Sequence, residues 1–306
     1  MQQLKQWLAD EPLLLTEAAV TERLSRQKAI VLDPLLANAR LIYDPEGRSA
    51  LEALYERFIQ VARRADVPFL LATPTWRSSQ ARLRHAGERR PVNSDAVRFL
   101  SGIRNRQGPF ASRILLGGLV GSAGDAYRPE QAPAAETAAA IHRPQIRELV
   151  DAGVDYLLAA TIPAVSEAEG LSRVMGSFSL PYLISFVIRR DGSLMDGTTL
   201  AEAIGRVDRA SGDHRPTGFL VNCAYPTFLP SDSDDGRLNR LVGFQANGSS
   251  LDQSELDGSE KTRMEPIEDW VAEMLQLYRY RGLRILGGCC GTTERHLQAL
   301  VDALGY

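Results

Sequence analysis

Short apolar runs alternate along the chain with longer stretches whose apolar residues recur at helical spacing. Within Ser49–Ala65, for example, Leu51, Leu54, Tyr55 and Phe58 fall on one face of a helix. The same spacing predicts helices at Ala134–Ala152, Thr198–Ala210, Pro266–Arg281 and Glu294–Leu304. The short runs predict eight strands: Leu13–Leu15, Phe69–Thr75, Arg113–Val120, Tyr156–Thr161, Tyr182–Ile188, Gly218–Ala224, Leu241–Asn247 and Leu283–Gly288.

Several predicted strands are apolar almost throughout, as in FLLAT, RILLGGLV, YLLAAT and GFLV. Such runs are typical of parallel strands that are buried on both faces. Eight of them alternating with helices predict a (β/α)8 barrel, and strand counting leaves a doubly wound sheet as the alternative. No Pro-, Gly- or Ser-rich linker divides the chain, so we expect a single barrel domain over residues 1–306. Polar composition predicts loops at Ser101–Gln107, Ser231–Arg240 and Ser249–Arg263.

Composition narrows the class of protein. Of the 306 residues, 44% are hydrophobic, which suffices for a large core, and the formal net charge is −3. Since no basic excess is present, nucleic acid is not an expected partner. No apolar run reaches the roughly 18 residues of a membrane span, so we expect no membrane partner. The first residues lack the apolar core and cleavage site of a secretory signal, which favours a cytoplasmic location.

Three cysteines are the main chemical feature of the sequence. Cys289 and Cys290 stand in a Gly-Gly-Cys-Cys-Gly segment directly after the last predicted strand, and Cys223 ends the sixth strand. Because the carboxyl ends of barrel strands converge on one face, we expect the three side chains to meet at that rim. The flanking glycines would allow a close backbone approach, and Gly291 would supply a positive φ for a sharp turn.

Three thiolates and one open position would make a catalytic zinc site, because a structural site is closed by a fourth protein ligand. His296 is the candidate fourth ligand, although an exposed helix position is the simpler expectation. The other histidines are expected at the surface: His85, His142 and His214. Two alternatives stay open, namely cysteines that are small buried hydrophobic residues and a strained vicinal disulfide between Cys289 and Cys290.

Two segments, GGCCGTT at Gly287–Thr293 and GFLVNCAYP at Gly218–Pro226, resemble the homocysteine S-methyltransferase family. The resemblance implies a (β/α)8 barrel in which Cys223, Cys289 and Cys290 hold Zn²⁺. It also implies methyl transfer from a sulfonium, quaternary amine or methylated folate to homocysteine or a related thiol, in methionine biosynthesis. Weaker likenesses follow in family order at Gly121–Gly124, Arg143–Gln145, Ala152–Asp155, Ile184–Phe186, Asp196–Thr198 and Ala246–Gly248.

Two positions depart from the family pattern. Thr16 stands where the family has an Asp after the first strand, and Ala160 replaces a Glu after the fourth. In the family these carboxylates help to hold the α-amino group of homocysteine, and an ammonium buried without an anion is costly. Three explanations stay open: Glu17 supplies a carboxylate, the acceptor thiol has no α-amino group, or the protein only binds a ligand.

Other polar and aromatic residues near the strand ends are candidates for substrate contact. Trp76 would stack on a cationic donor and Arg77 would pair with a carboxylate, unless they are a packing residue and a solvated charge. Glu22, like Glu17, fits either a substrate ligand or an acid at a helix N-terminus. The predicted substrate-binding set is Glu17, Thr16, Thr73, Ala160, Asn222 and Asn247.

The expected partners are a small-molecule thiol and a methyl donor, and the fold is compatible with a homo-oligomer. A demethylase that acts on a methylated small molecule is a second enzymatic interpretation. A non-catalytic barrel that binds zinc or a different small ligand is the alternative outside catalysis.

Overall fold

The computed structural model describes residues 2–230, 235–252 and 264–306. At its centre is a closed barrel of parallel strands that follow one another around the ring in chain order. The strands are β1 (Leu14–Thr16), β2 (Phe69–Ala72), β3 (Ile114–Val120), β4 (Tyr156–Ile162), β5 (Tyr182–Phe186), β6 (Gly218–Ala224), β7 (Leu241–Ala246) and β8 (Ile285–Gly288). Leu14 pairs with Ile285 and Leu15 with Leu286, which closes the ring. The predicted (β/α)8 barrel is confirmed, and a doubly wound sheet is excluded.

Helices separate the strands and cover the outside of the barrel. The described helices are α1 (Gln3–Asp10), α2 (Thr21–Ser25), α3 (Pro45–Arg64), α4 (Gln80–His85), α5 (Val92–Asn105), α6 (Ala135–Asp151), α7 (Val165–Met175), α8 (Leu200–Ala210), α9 (Ile267–Arg281) and α10 (Glu294–Leu304). None of them combines the length and the apolar composition that a bilayer crossing requires.

One predicted loop is wrong and two are only partly described. Residues 101–105 complete α5 instead of forming a loop, because Ile103 is fully buried and extends the apolar face of that helix. Within the predicted loop Ser231–Arg240, the segment Gly236–Arg240 forms a 3₁₀ helix. Residues 231–234 and 253–263 of the two remaining predicted loops lie outside the described residues.

Helix α3 shows how local sequence sets an element in place. Asp44 precedes it, and its carboxylate accepts the N–H of Gly47 at 2.6 Å, while Pro45 takes the first helical position. Both features favour a helix start. The face predicted from spacing is confirmed, since Leu51, Leu54, Tyr55 and Phe58 are all buried against the barrel.

Large apolar side chains fill the barrel interior, and α1 covers one of its ends. Leu4 and Trp7 of α1 pack against the interior cluster that contains Leu14, Leu115 and Ile285. The guanidinium of Arg284, just before β8, donates to carbonyl oxygens at residues 8, 9 and 11. Helix α1 therefore closes the end at which the strands begin and leaves the opposite rim for a site.

Candidate metal centre and substrate cavity

The three cysteines meet at the rim where the strands end, as the sequence predicts. Cys223 ends β6, and Cys289 and Cys290 directly follow β8. Their sulfur atoms all lie within 4.8 Å of one another, and the Sγ atoms of Cys223 and Cys289 are 2.8 Å apart. All three cysteines are free, so the vicinal disulfide is not formed.

The glycines around the cysteine pair allow the backbone to pack closely. A Cβ at Gly287 would lie 1.9 Å from Oγ1 of Thr16, so only glycine fits beside the end of β1. Gly291 has a φ of +80°, as predicted for the turn into α10. The N–H of Cys289 donates to the carbonyl of Ala246 at 2.6 Å, and this bond fixes the first cysteine against β7.

Cys223 and Thr161 have backbone conformations that non-glycine residues seldom adopt. Their φ angles are +54° and +61°, in the left-handed region, at the ends of β6 and β4. Such conformations cost about 1–3 kcal/mol each and persist only where surrounding contacts hold them. The Thr161 hydroxyl lies 4.0 Å from the Cys223 sulfur, so the two strained residues face each other.

Asn222 holds these two residues together. Its Oδ1 accepts the N–H of Thr161 at 2.9 Å and the hydroxyl of Ser185 at 2.7 Å. Its Nδ2 donates to Oγ1 of Thr161 at 2.7 Å and to the sulfur of Cys223 at 3.2 Å. The predicted site residue Asn222 thus orients a cysteine, and it also lines the adjoining cavity.

The donor set fits a soft divalent metal ion. The hydrogen bond with Cys223 and burial raise the pKa of Cys289 well above its ordinary value of 9, so a cation is needed to stabilise its thiolate. Among the described residues, no Lys, Arg or His lines the adjoining cavity to serve as that cation. Three sulfur donors with this spacing suit zinc, and the structure carries no ion.

A cavity of about 190 Å³ adjoins the sulfurs. Its lining is mostly apolar and includes Leu119 and Leu158, with the aromatic residues Trp76 and Tyr127. Glu17 and Glu22 are its carboxylates. The cavity therefore combines low polarity with acidic groups and no basic side chain, which disfavours a free anion and suits a neutral or positively charged ligand.

Glu17 reaches the cavity, although it lies one position beyond the expected acidic residue. Its Oε1 accepts the N–H of Ala72 at 2.5 Å, and the residue is buried. Burial raises its pKa to about 8, partly offset by that backbone hydrogen bond. At neutral pH the carboxyl is therefore mostly protonated, and a bound ammonium would be needed to ionise it.

The two positions that depart from the family pattern have different surroundings. Ala160 lines the cavity and leaves space where a longer side chain would stand. Thr16 lies below, beside a small space in the barrel interior, where its hydroxyl accepts from Nε2 of Gln245 at 3.0 Å. Gln245, which sequence reasoning did not select, lines both spaces.

Besides Thr16, two further predicted substrate residues lie outside the cavity lining. The hydroxyl of Thr73 accepts the N–H of Leu119 at 2.9 Å, so it joins β2 to β3. Asn247 is buried and its carbonyl accepts the indole N–H of Trp270 at 3.0 Å. Their roles as substrate ligands remain predictions that the cavity lining does not support.

The predictions for two histidines are wrong. His296 is buried rather than exposed, and its Nδ1 accepts the N–H of Thr293 at 3.2 Å in a capping box at the start of α10. His142 is also buried, and its Nε2 is paired with the carboxylate of Glu167 at 2.8 Å. Neither residue belongs to the group of possible metal ligands among the described residues.

Tyr127 is the main site residue that sequence reasoning missed. It lies in the loop between β3 and α6, and it lines the cavity together with the three cysteines. The loop follows the Gly121–Gly124 turn at the end of a predicted strand. This position after a strand end was the signal from which sequence reasoning could have selected Tyr127. Trp76, a candidate for stacking, does line the cavity, and the guanidinium of Arg77 lies 5.3 Å above its ring centre.

A family model for homocysteine S-methyltransferase matches residues 14–304, which is nearly the whole chain. The chain belongs to the homocysteine S-methyltransferase family. Three cysteines at the rim of a barrel are therefore found in a member of this family, as the sequence resemblance led us to expect.

Individual members of the homocysteine S-methyltransferase family are distant relatives of this chain. Homocysteine S-methyltransferase YbgG of Bacillus subtilis is 27% identical over 179 residues, which are 58% of this chain and 55% of that protein. Homocysteine S-methyltransferase of Escherichia coli is 27% identical over 206 residues, which are 63% and 64% of the two chains. The aligned segment thus spans less than two thirds of the length of these relatives.

A solved structure shares the fold over a longer range. The metallated form of the homocysteine methyltransferase MmuM from Escherichia coli superposes with a TM-score of 0.71 at 23% identity. The superposition covers 98% of this chain and 99% of that chain. At this level of identity the likeness establishes the common barrel fold.

Proposed function

We propose that this chain is a zinc-dependent S-methyltransferase that moves a methyl group from a small-molecule donor to a thiol, homocysteine or a close relative. The observation that carries the proposal is the group of three cysteine sulfurs beside an apolar cavity in a member of the homocysteine S-methyltransferase family. A cytoplasmic location, a single domain, a homo-oligomer and a role in methionine biosynthesis remain predictions.

Each part of the site has a chemical task in this proposal. Cys223, Cys289 and Cys290 would hold Zn²⁺. Zinc bound there would favour the thiolate form of an acceptor whose free pKa is roughly 8.5. Asn222 orients Cys223, and apolar residues such as Leu119 and Leu158 limit the water around the reacting sulfur. The negative charge of the thiolates would attract a sulfonium or quaternary ammonium donor.

Replacing the cysteines one at a time tests the metal site. Cys223→Ala, Cys289→Ala and Cys290→Ala should each lower zinc content from one ion per chain to near zero, because two thiolates cannot hold the ion tightly. Methyl transfer to homocysteine should be lost in parallel. Zinc content is measured by atomic emission after dialysis against a weak chelator.

Met264→Ala is the matched control, because this sulfur-bearing residue lies next to Gly291 at the same rim. It should retain zinc. The metal assignment is wrong if two of the three cysteine variants keep stoichiometric zinc. Full zinc with no transfer from any donor class in the parent protein would favour a non-catalytic binding barrel.

Titration calorimetry of the zinc-loaded protein with two thiols tests the acceptor. Homocysteine carries an α-amino group, and 3-mercaptopropionate does not. Preferential binding of homocysteine, lost in Glu17→Gln, would mean that Glu17 replaces the carboxylates absent at Thr16 and Ala160. Equal or tighter binding of 3-mercaptopropionate would mean that the cavity serves an acceptor without an amino group.

A further inference from the structure

Trp76 and Arg77 project from a backbone that is fixed on both sides. The hydroxyl of Thr75 donates to the carbonyl of Leu119 at 2.6 Å, and the hydroxyl of Ser78 donates to the carbonyl of Thr75 at 2.9 Å. Both Thr75 and Ser78 are fully buried. The two side chains between these anchors are therefore held in place at the rim, shortly after the end of β2.

The indole ring of Trp76 forms part of the cavity wall. The N–H of Gly121 donates to the carbonyl of Trp76 at 3.1 Å, and a Cβ at Gly121 would lie 2.4 Å from the ring. The ring therefore packs directly on the backbone that follows β3. The guanidinium carbon of Arg77 lies 5.3 Å from the ring centre, within the range of a cation–π contact. One ring thus contacts both the cavity and an arginine that is not part of the cavity lining.

Arg77 has no anionic partner among the described residues. It makes no ion pair and no side-chain hydrogen bond with them, although its Nε is buried. A buried donor without an acceptor is costly, and most buried donors in folded proteins are paired. The residue as a whole is only half-buried, and its terminal nitrogens are not among the buried atoms. An incoming anion can therefore reach them.

The surroundings of Arg77 are positively charged. Residues 77–90 contain five arginines and one glutamate. Arg82 lies close by, since burial and the charge of Arg77 lower the pKa of Arg82, against the opposing charges of Asp125 and Glu167. The guanidinium of Arg82 donates to two backbone carbonyls of the loop after β3, at 2.9 and 3.1 Å. Arg77 has no such contact, and the positive potential around it favours an anion.

Acidic and basic groups are thus separated at this end of the barrel. Glu17 and Glu22 line the cavity beside the three sulfurs, whereas Arg77 lies outside the lining, against the ring of Trp76. A ligand with a carboxylate at one end would match this arrangement, because the carboxylate would meet Arg77 while the other end entered the cavity. A guanidinium can bind a carboxylate through two parallel N–H···O bonds.

We propose that Arg77 binds the carboxylate of a substrate whose reacting end lies at the three cysteine sulfurs. The assignment to a substrate of methyl transfer rests on the function proposed above, whereas the binding of a carboxylate beside the cavity does not. The carboxylate belongs to the thiol acceptor or to the methyl donor, which share this chemistry. Trp76 is a positioning residue for the guanidinium in this scheme.

Titration calorimetry with two pairs of ligands tests the proposal without any turnover. Each pair consists of an acid and its amide: 3-mercaptopropionate with 3-mercaptopropionamide, and dimethylsulfonioacetate with dimethylsulfonioacetamide. The zinc-loaded parent protein should bind the acid about tenfold more tightly than the amide in one pair, because only the acid forms charge-assisted hydrogen bonds. The pair that shows the difference identifies the acceptor or the donor as the source of the carboxylate.

Variants of Arg77 assign the preference to this side chain. Arg77→Gln should bind acid and amide equally, at the affinity that the parent protein has for the amide. Arg77→Lys keeps the charge but not the planar fork, so it should retain only part of the preference. Arg84→Gln is the matched control, because Arg84 is an exposed arginine on α4 outside the cavity lining, and it should bind all four ligands like the parent protein.

Urea unfolding separates ligand binding from a structural role. Arg77→Gln should unfold at the same urea concentration as the parent protein, because Arg77 loses no ion pair with the part of the chain that the structure describes. The proposal is overturned if the parent protein binds neither acid more tightly than its amide, or if the preference persists in Arg77→Gln. If the preference depends on Arg77 but no methyl transfer is found, the proposed function fails and the carboxylate site stands.

Discussion

Asn222 binds groups on three different strands, and this concentration of contacts makes it sensitive to a small change. In Asn222→Asp the donor that faces the Cys223 sulfur becomes an oxygen, and a carboxylate would repel the thiolate. Loss of a hydrogen-bond partner behind a metal ligand typically lowers metal affinity 10- to 100-fold. We therefore expect zinc affinity to fall by about that factor, measured by competition with a chromophoric chelator.

The matched control is Asn93→Asp, another buried asparagine, which donates to the carbonyl of Ser78 and to the carboxylate of Glu148. It should lower the free energy of unfolding without changing zinc affinity. Unchanged zinc affinity in Asn222→Asp would show that its hydrogen bond to sulfur has no influence on the metal.

The sequence predicts individual residues well where a motif fixes their backbone and poorly where a loop places them. The glycines around Cys289 and Cys290 indicate close backbone packing and a sharp turn, so that pair was recognisable. The loop that carries Tyr127 is held at Ala123, whose carbonyl accepts from Arg82 and whose N–H donates to Glu167, and these residues lie 45 and 40 positions from Tyr127 along the chain. Thr16 and Glu17 show a further limit, because both line the small interior space but only Glu17 also lines the cavity beside the sulfurs.

At the scale of elements, the end of α9 isolates the contribution of one backbone angle. Gly282 follows this helix with a φ of +65°, and nothing lies within 4 Å of the place where its Cβ would be. Gly282→Ala should therefore destabilise the protein by about 1 kcal/mol through backbone strain alone. The free energy of unfolding in urea measures this.

The companion variant is Gly236→Ala, since Gly236 also has open space around it but no positive φ. It should be neutral or slightly stabilising. Equal effects of the two substitutions would mean that the left-handed conformation of Gly282 adds nothing to helix termination.

Element boundaries were predictable because periodicity reports which face is buried. All eight strands were predicted within three residues of their observed bounds. The failure at Ser101–Gln107 has a physical reason: Ser101, Arg104 and Asn105 are polar, yet they only cover the outer side of the turn that buries Ile103. Polar composition marks exposure, and an exposed helical turn is as polar as a loop.

At the scale of the whole molecule, Glu17 makes stability depend on pH. Its pKa rises from 4.5 in a model compound to about 8 in the folded protein, so the folded state binds a proton that the unfolded state releases. This contribution is complete below pH 4.5 and is lost as the pH rises to 8. Relative to Glu17→Gln, the metal-free parent protein should lose about 1 kcal/mol of stability between pH 7 and pH 8.

His296 acts in the opposite direction at lower pH. Burial lowers its pKa to about 4, so its contribution is lost as the pH falls from 6.5 to 4. It is common to both proteins and cancels in the difference between them. Urea unfolding across the pH range provides the measurement, and Glu136→Gln, at an exposed carboxylate on α6, should match the parent curve. A flat difference between the parent and Glu17→Gln would show that Glu17 is ionised in the folded protein.

The packing of α1 against the barrel interior has a consequence for the order of events in a reaction. Trp7 and Leu4 close the barrel at the end where its strands begin, and side chains fill the interior above them. Both reactants and both products would have to pass through the rim at which the strands end. The reactant that binds deeper would have to bind first, and the product formed from it would have to be released last. The architecture thus favours ordered binding of the two reactants over binding in random order.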